Sequence, residues 1–461
     1  MRKLFGTDGI RAVAGEAPLD PRTIYAIGIA LAHSLRPLAS APRVVLGMDT
    51  RESSPWIAAT LSAGLRHAGA TVESAGVITT PAIAFLARTR AFHAGIVISA
   101  SHNPWQDNGI KIFGADGYKL ADGIELAIED EIFRHLETVA APDPSLLPSP
   151  AINAKFRADY IDFLRSAVPG LSLDGRRIVI DCANGAAHSI ATEIFSGPNG
   201  FSNTGGEVFI THAAPDGRNI NDQCGALHAE TVAAEVVERS ADMGITFDGD
   251  ADRALFADAN GQVVNGDAVL LLAARDLLAS GKLAQHTVVA TTMSNMGLEA
   301  ALARSGIKML RAPVGDKYVL EEMRRAGAAL GGEQSGHILF FNPMPSGAVA
   351  TTGDGLLTAL LLLDIIHRAG KPLGELKADL KVFPQVIVNI RVREKKPLDQ
   401  IPAVAAAIAA AEQDLASAGR VVVRYSGTEA LARVMIEAES EDKMKFHSET
   451  IAAAIRTELA A

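Results

Sequence analysis

An apolar strand that runs into a short polar turn and then into a helix recurs three times along the chain. The three strands end near Asp49, Asp181 and Thr292, at separations of 132 and 111 residues. Alternating strands and helices are typical of a parallel sheet whose two faces are covered by helices. The recurrence therefore predicts three related α/β domains with parallel or mixed sheets.

The end of the chain has a different pattern. Strands are predicted near 386–392, 420–424 and 433–438, and an alanine-rich helix is predicted over 404–418. We therefore expect a smaller α+β domain at the C-terminal end.

Three breaks in the sequence separate these domains. Four prolines between residues 142 and 150 interrupt any helix or central strand. The Asn260-Gly261 pair lies between two apolar runs and predicts a hairpin with a type I′ turn. A leucine-rich helix is predicted to end near Gly370. The predicted domains are 1–150, 151–258, 259–370 and 371–461.

Composition limits the classes of function. Lys and Arg total 43 against 53 Asp and Glu, and the resulting net charge of −10 argues against a general electrostatic affinity for nucleic acid. The two cysteines, Cys182 and Cys224, are too few for a disulfide framework, which favours a reducing compartment. No apolar segment is long enough to span a bilayer, and the first residues lack the apolar core of a signal peptide. We therefore expect a cytoplasmic protein that binds neither nucleic acid nor membranes.

Three aspartates follow an apolar strand with a spacing of two residues. Asp248, Asp250 and Asp252 would point the same way in an extended segment, where their charges repel unless a cation neutralises them. Oxygen ligands alone suit a hard cation such as Mg²⁺ or Ca²⁺. Arg253 and Ala259 stand where a calcium loop of the EF-hand type needs Gly and Glu, so that class of site is excluded. The spacing favours a metal site over the alternative, a solvated acidic turn.

A second candidate loop follows a buried strand that ends at Ile98. It carries Ser101, His102 and Asn103 before Pro104, and the single cation Lys111 lies nine residues after His102. Loops held on a rigid scaffold are the usual place for catalytic groups. The nucleophile elbow of α/β-hydrolases is absent, and an ordinary turn before a proline stays an alternative at this point.

Two further loops have the composition of ligand sites. The segment 332–337 places hydrogen-bonding side chains between glycines, as binding of a sugar would require. The segment 424–429 offers Arg424 and small residues whose backbone N–H groups can converge on an anion, with a plain hairpin as the alternative. No P-loop occurs. Together the four loops predict a phosphoryl-transfer site that lacks a nucleotide-binding loop.

Ten motifs that cover nearly the whole chain occur in the order of one known family. They run from KLFGTDGIRA and SASHNPWQDNGIKIF through DCANGAA, APDGRNIN, FDGDADR, TTMSNMGLE, VGDKYVLEEM, GGEQSGH and TTGDG to RYSGTEALARVM. The chain resembles the α-D-phosphohexomutases. This resemblance implies four domains, three of them related, around one central cleft.

The resemblance also implies a role for each candidate residue. The phosphoserine would be Ser101. One Mg²⁺ per subunit would be held by Ser101, Asp248, Asp250 and Asp252. Contacts to the reacting phosphoryl group, or help with proton transfer, would come from Arg11, His102 and Lys111. The substrate would be bound by Arg253, Glu333, Ser335 and His337, and its non-reacting phosphate by Arg424, Ser426, Gly427, Thr428 and Arg433.

The substrate implied by the resemblance is an amino sugar. Gln334 resembles the members that act on glucosamine phosphate, whereas relatives that act on glucose or mannose phosphate tend to carry Met there. The implied reaction converts glucosamine 6-phosphate to α-D-glucosamine 1-phosphate through a 1,6-bisphosphate, which also serves as activator. The expected partner is therefore a small sugar phosphate, and a homodimer is left open.

Three other functions are compatible with parts of this sequence. The nearest is a glucose or mannose phosphomutase that uses the same residues. A metal-dependent phosphatase with Asp248 as nucleophile would share the Asp-x-Asp spacing, but Asp252 stands where that class has Thr or Val, and Ser101 has no role in it. A non-catalytic sugar-phosphate sensor would be expected to have lost the serine or one of the aspartates.

Overall fold

The computed structural model describes residues 4–6, 8–341, 350–425 and 431–460. The chain forms two compact units, of which the first comprises residues up to 293 together with 307–378, and the second comprises 294–306 together with 379–461. The first unit contains three mixed sheets with helices, and the second contains one smaller antiparallel sheet. The predicted fold class is confirmed.

The first sheet has five strands in the order β1-β5-β4-β2-β3. Asp20 caps the first helix by accepting hydrogen bonds from the backbone N–H groups of Arg22 and Thr23, at 3.0 and 3.1 Å, just before a proline that suits a first helical turn. The elements are β1 Ile10–Val13, α1 Pro21–Leu35, β2 Arg43–Met48, α2 Ser54–His67, β3 Thr71–Val77, α3 Thr80–Thr89, β4 Ala94–Ile98, β5 Asp107–Gly114 and α4 Asp122–Thr138.

The second sheet has five strands in the order β10-β9-β8-β6-β7. Its central strand, β8, is apolar and fully buried, as expected when helices cover a sheet. The elements are α5 Lys155–Ala167, β6 Arg177–Asp181, α6 His188–Ala191, β7 Glu207–Thr211, α7 Ala229–Glu238, β8 Met243–Phe247, β9 Ala254–Asp258 and β10 Val263–Val264.

The third sheet has four strands in the order β12-β11-β13-β14. The elements of this stretch of chain are α8 Gly266–Ala279, β11 Thr287–Thr291, α9 Met296–Arg304, β12 Lys308–Ala312, α10 Asp316–Ala326, β13 Leu330–Gly332, β14 Ile338–Phe340, α11 Gly355–Ala369 and α12 Leu373–Leu376. Helix α9 belongs to the second compact unit, whereas the strands on either side of it belong to the first.

All three sheets share one four-strand topology. In each, the first strand pairs in parallel with the second and the third, and the third pairs antiparallel with the fourth. The first strands are β2, β6 and β11, whose ends carry Asp49, Asp181 and Thr292. The predicted threefold recurrence is therefore confirmed as a repeat of topology.

The second unit is built on a three-stranded antiparallel sheet in the order β15-β17-β16. Its elements are β15 Gln385–Arg391, α13 Pro402–Leu415, β16 Gly419–Tyr425, β17 Leu431–Ala438 and α14 Glu441–Leu459, together with α9. Asn295 ties α9 to this unit, because its amide donates to the carbonyl of Phe383 at 3.0 Å and its carbonyl accepts from the Phe383 N–H at 2.9 Å.

The hairpin at Asn260-Gly261 forms between β9 and β10, but its turn is not type I′. A type I′ turn requires a positive φ at both central residues. Gly261 has a φ of +71°, but Asn260 does not have a positive φ. The Asp258 N–H donates to the Gln262 carbonyl at 3.0 Å, and the Gly261 N–H donates to the Asp258 carbonyl at 2.9 Å. The Asp258 carboxylate also accepts from the backbone N–H groups of Asn260 and Gln262, which favours this wider loop over a two-residue turn.

The domain limits at residues 150, 258 and 370 stay predictions. Among the described helices, none combines the length and apolar character needed to cross a membrane.

Candidate active site

Most candidate residues of the first unit lie in three loops that occupy the same topological position, whereas Arg11 lies on β1 and Lys111 on β5. Each loop connects the third strand of a repeat to the antiparallel fourth strand: β4 to β5, β8 to β9, and β13 to β14. These loops begin at the carboxyl ends of parallel strands, which is where α/β folds bind ligands. Ser101 lies in the first loop, the three aspartates in the second and Glu333 in the third.

Ser101 is buried and contacts the second loop directly. Its Oγ donates a hydrogen bond to Asp248 Oδ2 at 2.5 Å and lies 3.3 Å from His102 Nδ1. Ser101 has a φ of +55°, a left-handed conformation that is uncommon for a residue with a side chain. Gly249 allows the close approach of the two loops, because a Cβ atom there would lie 2.5 Å from the Ser101 carbonyl oxygen.

A buried arginine holds the loop that carries Ser101. Arg51 donates through Nε to Asp49 Oδ2 at 2.8 Å, and both side chains are fully buried. Its other nitrogens donate to four backbone carbonyls of the loop and its end, those of Ser101, Asn103, Pro104 and Asp107. Asp49 also accepts from Ser99 Oγ at 2.7 Å, and Ser99 Oγ accepts from the Ser101 N–H at 2.9 Å. A guanidinium with all of its donor directions in use fixes the unusual conformation of this loop.

The three aspartates converge as the sequence predicted. One carboxylate oxygen of each lies within 4.8 Å of the others, and all three residues are buried. Asp250 Oδ2 accepts hydrogen bonds from Thr80 Oγ1 at 2.6 Å and from Lys111 Nζ at 2.8 Å. The residue between the last two aspartates, Ala251, has a φ of +54°, a second left-handed conformation at this site.

The chemistry of this cluster fits a divalent cation. Within the described part of the chain, Asp250 Oδ1 and Asp252 Oδ1 are buried and accept no hydrogen bond. Burial, together with the charges of Asp252 and Asp250, raises the pKa of Asp248 well above its usual range. Buried carboxylate oxygens without donors are costly unless a cation compensates them. The cluster therefore has the oxygen ligands, the free lone pairs and the excess negative charge of a site for a hard metal ion.

Lys111 is the buried cation behind this cluster. Its Nζ lies 2.8 Å from Asp250 Oδ2, 3.0 Å from Asp8 Oδ2 and 3.4 Å from Asp252 Oδ2. Although burial opposes it, the charges of Asp250, Asp8 and Asp252 raise the pKa of Lys111 well above its usual range. Lys111 is therefore permanently charged near neutral pH.

Arg11 and His102 flank Ser101. One terminal nitrogen of Arg11 donates to the Ala100 carbonyl at 3.3 Å, and the other forms an ion pair with Asp8. Burial lowers the pKa of His102 to about 4, and the charges of Arg253 and Arg11 act in the same direction. His102 is therefore neutral at pH 7.

The third loop lines a cavity together with these groups. The cavity has a volume of about 390 Å³. The polar side chains of its wall are Asp8, Arg11, His102, Asp252, Arg253, Asp316, Glu333 and His337. Glu333 Oε1 accepts from the Gly315 N–H at 2.9 Å. Both ring nitrogens of His337 are buried and form no hydrogen bond with any residue that the structure describes.

Two residues of the third loop do not line this cavity. Ser335 is half-buried in the turn between β13 and β14 and is absent from the cavity wall. The side chain of Gln334 points towards helix α8, where its Nε2 lies 3.4 Å from Asp267 Oδ2. The backbone carbonyl of Gln334 accepts a hydrogen bond from the Gly266 N–H at 3.0 Å. An influence of Gln334 on substrate choice would therefore act through the shape of the loop.

The phosphate-binding candidates lie in the second unit. Arg424 on β16 and Arg433 on β17 are directly opposite each other in the antiparallel pair. Opposed positions of an antiparallel pair place both side chains on one face of the sheet, where two guanidinium groups can contact the same phosphate. Ser426, Gly427 and Thr428 lie outside the described residues.

Family models match the chain from end to end. The phosphoglucomutase/phosphomannomutase models for alpha/beta/alpha domains I, II and III match residues 2–138, 158–261 and 265–383, and the model for the C-terminal domain matches residues 387–454. The prediction of an α-D-phosphohexomutase is therefore confirmed.

Relatives that match over their full length identify the group within this family to which the chain belongs. A phosphoglucosamine mutase of Koribacter versatilis is 60% identical over 463 residues, which cover 99% of this chain and 97% of the relative. A phosphoglucosamine mutase of Solibacter usitatus is 52% identical and covers 99% of both chains. The chain belongs to the phosphoglucosamine mutase family. Phosphoglucosamine mutases are isomerases that transfer a phosphoryl group, so the predicted class of enzyme is confirmed as well.

Solved structures share the fold of this phosphoglucosamine mutase family member at low sequence identity. A phosphoglucomutase/phosphomannomutase family protein of Burkholderia thailandensis is 23% identical, with a TM-score of 0.75 and 99% of both chains covered. An N-acetylphosphoglucosamine mutase of Aspergillus fumigatus, solved in complex with GlcNAc-6P and magnesium, is 19% identical, with a TM-score of 0.62 and coverage of 99% of this chain and 96% of the other. These similarities concern the fold.

Several residues of the site were not predicted from the sequence. The ion pair Asp49–Arg51, the donor Thr80 and the pair Lys119–Asp316 are the main ones. Asp49 and Arg51 follow a buried strand directly, and that position was a usable signal. Lys119 also pairs with Asp8, so a continuous chain of charges runs from Asp316 to Lys111.

Replacing Arg51 by lysine is expected to lower kcat of the mutase reaction by about tenfold to a hundredfold, because an ammonium group cannot reach four carbonyls and Asp49 together. Steady-state kinetics should show this fall in kcat. The half-buried Arg43, which pairs with Glu73, offers a control, and Arg43→Lys should keep the wild-type rate. An unchanged kcat in folded Arg51→Lys would show that Arg51 is not needed to position the loop.

Proposed function

We propose that this chain interconverts glucosamine 6-phosphate and α-D-glucosamine 1-phosphate through a phosphoserine at Ser101 and a 1,6-bisphosphate intermediate. The observation that carries the proposal is the 2.5 Å contact between Ser101 Oγ and Asp248 within the three-aspartate cluster. A nucleophilic serine beside a cation site and a polar cavity is what phosphoryl transfer to a sugar requires.

We propose Mg²⁺ as the metal, held by Asp248, Asp250, Asp252 and the phosphate of Ser101. The support is a ligand set of oxygens alone, with two carboxylate oxygens that accept no hydrogen bond within the described residues. When bound, the ion would neutralise negative charge on the transferred phosphoryl group.

The charged side chains around Ser101 would stabilise the transferred group. As the O–P bond at Ser101 breaks, a new O–P bond forms to a sugar hydroxyl, and a proton passes from that hydroxyl to Ser101 Oγ. Lys111 keeps its proton, and Lys111 and Arg11 would act on the charge of the phosphoryl oxygens. His102 is neutral at pH 7 and lies 3.3 Å from Ser101 Oγ, which makes it our candidate for the proton carrier.

The cavity between the three loops would hold the sugar. Glu333 would offer an acceptor and His337 a ring nitrogen to its hydroxyl groups, and Arg253 lies in the same wall. Ser335 would take part only after a movement of its turn, because it is absent from the cavity wall.

The phosphate that does not react would be held by Arg424 and Arg433 with the loop 426–428. In a mutase the bisphosphate must bind in two orientations, so one anion site has to accept either phosphate. Binding energy from this remote group would lower the barrier at the reacting centre.

Arg424→Ala is expected to lower kcat/KM by about a hundredfold in both directions, because a bidentate contact to phosphate is lost in both half-reactions. Equal loss in both directions is required, since a catalyst cannot change the equilibrium constant. The variant should also release more bisphosphate into solution, which chromatography can measure. Arg391→Ala, at an exposed arginine of β15, serves as the control and should keep wild-type kinetics. An unchanged kcat/KM in Arg424→Ala would exclude the phosphate role.

Mass spectrometry of the purified enzyme tests the proposed function. Incubation with glucose 1,6-bisphosphate should add about 80 Da, the mass of one phosphoryl group, at Ser101. The adduct should remain after turnover of added glucosamine 6-phosphate, because each cycle returns the phosphoryl group to the serine, and it should form to the same extent in Ser145→Ala, a variant at an exposed serine. Release of inorganic phosphate without the adduct would instead support a phosphatase.

A comparison of kcat/KM tests the substrate. A value tenfold higher for mannose phosphate or glucose phosphate than for glucosamine phosphate would reassign the substrate.

We place the reaction in the cytoplasm. The buried thiols of Cys182 and Cys224 are free, which agrees with a reducing compartment.

A further inference from the structure

Three potential metal ligands meet at the contact between helices α1 and α4. His33 lies in the last turn of α1, and Glu131 and His135 are one turn apart on α4. His33 Nδ1 lies 3.1 Å from Glu131 Oε1, His135 Nε2 lies 3.0 Å from the same oxygen, and the two nitrogens are 3.3 Å apart. The three side chains are 31%, 21% and 20% exposed, so an ion from solvent can reach them.

Hydrogen bonds cannot satisfy all three of these contacts. If both histidines donate to Glu131 Oε1, that one oxygen accepts two N–H groups whose nitrogens are only 3.3 Å apart. If His135 donates to His33 instead, the lone pair of the His33 nitrogen faces the carboxylate oxygen. Neither arrangement uses all three contacts as hydrogen bonds. A cation above the triangle would make all three contacts favourable.

The size of the triangle matches a tetrahedral transition metal. Ligands at about 2.0–2.1 Å from Zn²⁺ lie about 3.3 Å apart in a tetrahedron, which is close to the three distances observed. Imidazole nitrogens with one carboxylate oxygen suit Zn²⁺, whereas the all-oxygen cluster of Asp248, Asp250 and Asp252 suits a hard ion. The second oxygen of Glu131 is paired with Arg134, which orients the carboxylate towards the histidines.

We propose that His33, Glu131 and His135 bind a Zn²⁺ ion that fastens α4 to α1. The fourth coordination position would be taken by water. Helix α4 also holds the beginning of the chain, because the carboxylate of Glu129 accepts from the backbone N–H groups of Leu4 and Phe5 at 2.9 and 3.2 Å. Leu4 lines the cavity of the candidate active site, so an ion at this position would stabilise one wall of that cavity.

Calorimetric titration of the full-length protein with Zn²⁺ tests the proposal. The protein is first stripped with a chelator and then saturated with Mg²⁺, which occupies the aspartate cluster. We expect one equivalent of Zn²⁺ to bind with a Kd in the micromolar range. His33→Ala and His135→Ala should each weaken binding at least tenfold. Zn²⁺ should raise the melting temperature of the wild type and not that of the variants. His67→Ala removes an exposed histidine of the neighbouring helix α2 and should bind Zn²⁺ like the wild type.

The absorption spectrum of bound Co²⁺ in two variants distinguishes this site from the candidate active site. Co²⁺ should give the strong visible absorption of a tetrahedral complex in the wild type and in Asp250→Asn, but not in His135→Ala. The proposal is overturned if no equivalent binds, if His33→Ala and His135→Ala bind as the wild type does, or if the Zn²⁺ site is lost in Asp250→Asn. None of these readouts depends on mutase activity.

Discussion

Ser101→Ala is expected to lower kcat by at least about 10⁴-fold, which corresponds to about 5 kcal/mol of transition-state stabilisation. In the proposed mechanism the variant lacks the oxygen that would accept and return the phosphoryl group, so neither half-reaction would have a substitute route within the site. Binding of sugar phosphate should persist, because the cavity wall and the arginines of the second unit are unchanged. A coupled assay for glucosamine 1-phosphate and calorimetry with glucosamine 6-phosphate would measure the two effects separately.

Ser62 provides the matched control for this variant. It is also buried, and its Oγ forms no hydrogen bond with any residue in the described ranges. Ser62→Ala should therefore keep both fold and activity. If Ser101→Ala retained more than about a hundredth of the wild-type rate, which is a loss of less than about 3 kcal/mol, covalent catalysis by Ser101 would be excluded.

Asp250→Asn is expected to lower kcat by about a thousandfold, or about 4 kcal/mol. Asparagine keeps the size of the side chain and can still accept from Thr80 Oγ1, so the fold should survive. The variant loses one of three charges that hold the cation, and it leaves Lys111 with a weaker partner. In the wild type, a chelator should abolish turnover and Mg²⁺ should restore it. The variant should need a higher Mg²⁺ concentration for half-maximal rate.

Asp258→Asn tests whether the loss of any buried carboxylate would have the same effect. Asp258 ends β9 and is 2% exposed, and it pairs with Lys377 outside the cluster. We expect this control to be less stable than the wild type while its kcat and its Mg²⁺ dependence stay unchanged. Near-wild-type turnover of Asp250→Asn in the presence of chelator would contradict the metal assignment.

The parts of the fold that were predictable from the sequence are those with local signals. The strands that end at Asp49, Asp181 and Thr292 are apolar runs followed by polar turns, and hydrophobic patterning alone identifies them. The turn at Asn260-Gly261 was predicted incorrectly, because side-chain hydrogen bonds from Asp258 select a wider loop than the dipeptide suggests. Residues 294–306 pack in the second unit, and nothing in their sequence indicates this.

The residues of the candidate site likewise divide into those that local sequence signals predicted and those that they did not. Asp248, Asp250 and Asp252 are close in sequence, so one loop brings them together and their spacing was informative. Thr80 and Lys119 reach the site from other elements, and no periodicity of a single segment shows that they will meet. Arg51 closely follows a buried strand, which was a usable signal, but the carbonyls that it binds cannot be identified from the sequence.

The repeated four-strand topology suggests how such a site could arise by gene duplication. One ancestral unit with a loop between its third and fourth strands, copied twice, yields three loops that can diverge independently. In the present chain one copy carries the serine, one the acidic cluster and one the glycine-rich polar loop. Each loop connects two strands of its own sheet. A mutation in one loop could therefore change the chemistry of that loop without disturbing the strands of the other two copies. Substrate preference in such an enzyme could therefore evolve in the third copy while the phosphoryl-transfer residues of the first two stayed fixed.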